Sequence, residues 1–206
     1  MEFKRRNCRR NERYKKMGWK ICCVNSKGES ILKFNELSLK GAFLIEFDKM
    51  EDERGFFART WDKKKFESNG LNSNVVQCNI SFSKKKGTIR GMHYQKFPHQ
   101  EAKLVRCTKG KAFEVLIDIR KKSESFLNWI FVELNQDKYE MLYVPEGFAL
   151  GFQTLRDNTE LIYQMSEYFD PESASGIRWN DPKIGIEWPL KCTVISEKDK
   201  LFDLIE

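Results

Sequence analysis
The sequence predicts a mainly β fold, an antiparallel barrel or jelly roll with few and short helices. Three observations predict it. From about residue 42 onward the apolar residues fall in short runs of five to nine rather than in long helical stripes. Turn signals separate these runs at near-regular spacing, the signature of an all-β domain. A hydrophobic content of 40% with aromatic residues at 13% belongs to a packed core rather than a disordered chain.

Taken in order, the first strand is 42–47, Ala-Phe-Leu-Ile-Glu-Phe. One helix follows at 61–68, stopped near Gly70. The run 75–82 is a strand, and the Lys86-Gly87 turn leads into another at 88–94. Strands 103–107 and 112–119 flank the Lys109-Gly110 turn. Strands 129–134 and 140–144 come next, the second closed by Pro145-Glu146-Gly147. Asp157-Asn158 then turns the chain into 160–168. No internal repeat or low-complexity linker interrupts this series. Residues 31–206 therefore form one domain, of a length that suits a single sizeable core, and residues 1–30 are an appendage.

The formal net charge of +7 is a property of that appendage. Residues 1–20 hold nine basic side chains, among them Arg5, Arg6, Arg9 and Arg10, against Glu2 and Glu12. The rest of the chain is balanced at 28 against 28. Such a tail suits a solvated extension better than a nucleic-acid or membrane surface, because the folded part carries no net charge to support either. Nothing in it has the apolar core of a secretory signal, and no apolar run approaches the roughly 20 residues of a membrane span. The expectation is a cytoplasmic protein with no nucleic-acid or membrane partner.

Cysteines 8, 22, 23, 78, 107 and 192 include no Cys-x-x-Cys pair, and His93 and His99 are the only histidines. Reduced thiols and no metal site follow from that spacing.

Strand parity singles out a polar set inside otherwise apolar strands. Gln77 and Asn79 share a face, with Cys78 on the other. Lys103, Val105 and Cys107 share a face, which projects the Lys103 ammonium among apolar groups. Arg90 and His93 have opposite parity, and both point inward only if the strand is bulged; Gly91 between them permits that. Buried polar groups cost several kcal/mol each unless they are paired or used.

The segments Asp52-Glu-Arg-Gly-Phe-Phe57, Gln77-Cys-Asn-Ile-Ser81, Arg90-Gly-Met-His-Tyr-Gln95 and Lys103-Leu-Val-Arg-Cys107 occur in that order. After them come Asp118-Ile-Arg120, Pro145-Glu-Gly-Phe148, Pro171-Glu-Ser173, Gly176-Ile-Arg-Trp-Asn-Asp-Pro182, Gly185-Ile-Glu-Trp-Pro189 and Ser196-Glu-Lys-Asp199. This ordered series, over roughly 32–200, resembles the dTDP-4-dehydrorhamnose 3,5-epimerase family. The resemblance implies a cupin-type jelly roll, a homodimer, and epimerisation of a nucleotide-linked 4-keto-6-deoxyhexose without metal or redox cofactor. It makes His93 the general base, Asp199 its buried carboxylate partner and Tyr163 the acid on the opposite face. Lys103, helped by Arg90, steadies the enolate oxygen. Arg54, Gln77, Asn79 and Lys198 match positions that hold the nucleotide sugar.

The residue types suit that chemistry. A proton beside a ketone leaves only if the charge reaching the oxygen is stabilised, and a cation in a dry pocket does this. A histidine, with an ordinary pKa of about 6.5, is available as a base at cell pH. A carboxylate on its other nitrogen fixes the tautomer. Inversion returns the proton from the other face, so a second group is needed.

Five positions depart from the family pattern: Arg59 where an acid is usual, Cys78 for an acid, Leu150 for a histidine, Phe169 for a stacking tyrosine and Ala174 for a glutamate. Phe169 still offers a ring face for stacking. These changes spare the acid, the base and the enolate stabiliser and fall on substrate recognition. The sequence therefore leaves open a single-centre 3-epimerase, a ketoisomerase on a different nucleotide sugar, and a non-catalytic sugar-binding cupin.

Overall fold
The computed structural model describes residues 32–205, so the basic extension lies outside the described residues. Thirteen strands are present among them: β1 Leu32–Glu36, β2 Phe43–Phe47, β3 Met50–Asp52, β4 Gly55–Phe57, β5 Gln77–Ser83, β6 Ile89–Gln95, β7 Lys103–Lys109, β8 Lys111–Asp118, β9 Trp129–Asn135, β10 Met141–Val144, β11 Phe148–Thr154, β12 Thr159–Met165 and β13 Ala174–Gly176. The helices are α1 Lys63–Ser68 and α2 Glu197–Lys200. The predicted helix starts two residues late because Asp62 caps it, accepting from the amides of Lys64 and Lys65.

The described residues form two units. The smaller includes Phe47–Trp61 and is built on the β3–β4 hairpin, where Asp52 pairs with Gly55 across the turn. The larger holds 34–46 and everything from Asp62 onward. It is a mainly β, cupin-type fold of two antiparallel sheets. One runs in the order β1-β2-β10-β7-β12-β5, the other β13-β6-β11-β8-β9.

One core fills the space between these sheets. Val105, Cys107, Leu142 and Leu161 from the first sheet meet Ala112, Leu116, Leu150 and Phe152 from the second. A second core lies where Met92, Phe113, Val115 and Ile117 meet Ile177, Ile184 and Trp188 of the carboxyl-terminal segment. The five-stranded sheet is thus covered on both faces, so β8 and β11 have no solvent face and give no clean alternation of apolar and polar residues. Strand β11 is missing from the sequence expectation for that reason. It lies at the centre of its sheet and all seven of its residues are buried.

The β6–β11 pairing carries the bulge that parity required. Leu150 opposes His93, but two residues later Phe152 opposes Arg90, three residues back. Gly91 sits in the extra step at φ +119°, and a Cβ there would lie 2.5 Å from the Cα of Gly151. Only glycine fits so close a backbone approach.

Candidate active site
A cavity of about 790 Å³ opens in the larger unit between β6 on one wall and β5, β7 and β12 on the other. Gln77, Asn79, Arg90, His93, Lys103, Phe169, Lys198 and Asp199 all line it. A recess of about 260 Å³ at its inner end adds Tyr163 to Arg90, His93 and Lys103, with Leu150 and Phe152 behind them.

His93 reaches the cavity because the bulge turns it inward together with Arg90. Its Nε2–H donates to Asp199 Oδ1 at 2.7 Å. Asp199 is only 4% exposed. Burial pushes its carboxyl up, but the His93 hydrogen bond and charge, the Gly91 amide and Ser196 outweigh burial and hold it below the ordinary carboxylate range. An ionised carboxylate only accepts, so Nε2 carries the hydrogen and the lone pair of the neutral ring is on Nδ1. The pair is braced twice more. The Gly91 amide donates to Asp199 Oδ2 at 3.1 Å, and the Asp199 amide donates to the hydroxyl of Ser196, the cap of α2.

Tyr163 comes from the opposite sheet. It pairs with Val105 of β7 on one side and Asn79 of β5 on the other. Its neighbours withdraw it from water, and this burial, with the carboxyl of Glu114 second, pushes the phenol well above its ordinary value. The phenol therefore stays protonated at neutral pH.

Lys103 is 8% exposed and is held at two points. Its Nζ lies 3.0 Å from Glu101 Oε1 and donates to the carbonyl of His93 at 3.1 Å. Glu101 escaped the sequence reading. It lines the cavity, is buried, and keeps Oε2 without a hydrogen-bond partner among the described residues. Its spacing of two from Lys103, the same-face spacing of an extended chain, is the signal that points to it.

Gln77 Oε1 accepts from the amide of Phe169 and so ties β5 to the segment that carries this ring. Phe169 is 63% exposed at the cavity mouth, with its face open for stacking. Arg90 donates through Nε to Ser83 Oγ at 3.2 Å and through Nη2 to the Phe82 carbonyl at 3.1 Å. Arg54 and Arg59 lie in the smaller unit, where Arg54 forms an ion pair with Asp52.

The departures from the family pattern sort by position. Cys78 is exposed on the β5 face turned away from Gln77 and Asn79, so its change removes nothing from the cavity. Ala174 lines the cavity itself. Leu150, 4% exposed, makes part of the recess wall apolar directly beside His93.

The sequence profile of the family described as dTDP-4-dehydrorhamnose 3,5-epimerase matches residues 36–206. The dTDP-4-dehydrorhamnose 3,5-epimerase of Methanothermobacter thermautotrophicus is 42% identical over 171 residues, covering 82% of this chain and 91% of that one. The crystal structure of dTDP-4-dehydrorhamnose 3,5-epimerase from Bacillus anthracis, with TDP and PPi bound, is similar at TM-score 0.82 and 38% identity. It covers 85% of this chain and 100% of its own. The dTDP-6-deoxy-D-glucose-3,5-epimerase of Legionella pneumophila, in complex with dTDP-4-keto-L-rhamnose, gives TM-score 0.79 at 34% identity over 84% and 93% of the two chains.

Proposed function
The chain belongs to the dTDP-4-dehydrorhamnose 3,5-epimerase family, and from that premise we propose a role for each group in the cavity. The protein is an isomerase that epimerises a nucleotide-linked 4-keto-6-deoxyhexose. In the proposed mechanism His93 Nδ1 takes the proton from a carbon next to the C4 ketone. The C–H pair of electrons moves into the ring bond, and the negative charge arrives on the ketone oxygen. Lys103, with Arg90 near it, faces that oxygen as a preorganised cation. Asp199 holds the imidazolium that forms. Tyr163 then gives its phenolic proton to the opposite face of the same carbon, which inverts it. The phenolate recovers a proton and the imidazolium loses one before the second centre is treated in the same way.

The observation that carries this reading is the His93–Asp199 hydrogen bond on one wall of a recess whose other wall holds Lys103 and Tyr163. Gln77, Asn79, Lys198 and Phe169 are proposed to hold the nucleotide sugar, supported by their common place on the outer cavity. Arg54 and Arg59 are proposed as further substrate contacts on the strength of the motif they follow. The homodimer belongs to the same proposal. It is supported by β5, an edge strand with Ile80 and Phe82 exposed, and equilibrium sedimentation at the mass of two chains is the expected result.

Offering dTDP-, GDP- and CDP-linked 4-keto-6-deoxyhexoses in heavy water tests the substrate assignment. Deuterium at both C3 and C5 of the dTDP sugar is expected. Label at C3 alone reduces the reaction to a single-centre epimerisation, and label in none of the three removes the proposal.

A further inference from the structure
Behind the recess, on β8, stands a titratable group that the mechanism above does not use. Glu114 is 0% exposed, and among the described residues neither carboxyl oxygen has a hydrogen-bond partner. It shares parity with Ala112 and Leu116 and so points into the core between the sheets, where Tyr163 also packs. Its direct neighbours on β9 and β11 are Val132 and Phe152. Neither of these titrates. The groups that face it are Lys103 and Cys107 from β7 and Tyr163 from β12.

We propose that Glu114 is a positioning residue of the epimerisation, keeping its carboxyl uncharged behind Lys103 and Tyr163 so that the lysine meets one carboxylate instead of two. An ionised carboxylate buried without partners costs several kcal/mol, and the neutral acid escapes most of that cost. Burial accordingly pushes this carboxyl up to about 8, with Lys103 pulling the other way. Lys103 already carries the Glu101 ion pair. A second anion behind it would cancel the positive field meant for the enolate, and would hold the proton on Tyr163 more tightly. Activity is therefore present while Glu114 is protonated and is lost as pH rises through its folded-state value.

This proposal rests on the roles given above to Lys103 and Tyr163. The pH profile of kcat/KM for wild type and Glu114→Gln tests it, with the dTDP-linked 4-keto-6-deoxyglucose as substrate. Wild type is expected to fall about tenfold per pH unit above roughly pH 8, and Glu114→Gln is expected to keep its plateau there. Superimposable profiles overturn the proposal. His93→Asn, run alongside, separates the two ideas: if its proton exchange is undiminished the site reading itself fails, whereas its loss with superimposable profiles removes only Glu114. Should Glu114→Gln not fold, carboxyl-13C-glutamate labelling of wild type reads the group directly. One resonance titrating near pH 8 is expected, and every glutamate titrating in the ordinary carboxylate range overturns the proposal.

Discussion

Replacing His93 by Asn is expected to lower kcat by about 10²–10⁴-fold while KM changes little. The loss follows from the geometry. The neutral ring offers a basic nitrogen lone pair to the recess on Nδ1, because Nε2 is committed to Asp199 at 2.7 Å. Asparagine is smaller but keeps some hydrogen bonding, and it has no basic nitrogen. Asp199→Asn is expected to fall in the same range, because its amide can donate to Nε2, favour the other tautomer and turn a hydrogen toward the substrate. Steady-state kinetics and exchange of the C3 and C5 protons with heavy water check both variants. Exchange near the wild-type rate in His93→Asn would remove His93 as the base.

Lys103→Met is the second large effect, and it has two separable parts. Losing the cation that faces the enolate oxygen is expected to cost about 10²–10³-fold in kcat. Losing the partner of Glu101 is expected to cost about 3–5 kcal/mol of stability, because the carboxylate is left buried and unpaired. Glu101→Gln added to Lys103→Met removes that stranded charge. The double variant is expected to recover most of the stability, read by denaturant unfolding, and none of the activity. Recovery of activity along with stability would show that Lys103 matters for the fold rather than for the enolate.

Much of this architecture was legible in the sequence. Eight of the strands and the helix after Trp61 follow from apolar runs and turn residues, and they differ from the observed elements at their ends by a few residues. Parity was enough to put Gln77 with Asn79 and to require a bulge at Gly91. Other features escaped for physical reasons. Strand β11 is buried on both faces and contains Gly151, so it shows neither alternation nor a strand-like composition. The hairpin of β3 and β4 is three residues on each side and is polar at its turn, too short for a periodic signal.

The site was legible to a similar degree. The family resemblance named His93, Lys103, Tyr163 and Asp199, and the fold brings them to one cavity and its recess from four separate stretches of chain. What parity and motif do not reveal is pairing. Nothing in the sequence says that Lys103 leans on Glu101, or that Asp199 is held by the same glycine whose bulge turns His93 inward. Glu114 is the extreme case. Among Phe113, Val115 and Leu116 it reads as an outward residue of an amphipathic strand, but β8 has no outward face.

In the proposed mechanism proton removal and proton return occur from opposite walls of one recess. Tyr163→Phe in heavy water tests it most directly, because only the returning hydroxyl is deleted. Deuterium is expected to enter still through His93 while the sugar keeps its starting configuration and inverted product falls by about 10²-fold or more. Inverted, labelled product formed at the wild-type rate would contradict it.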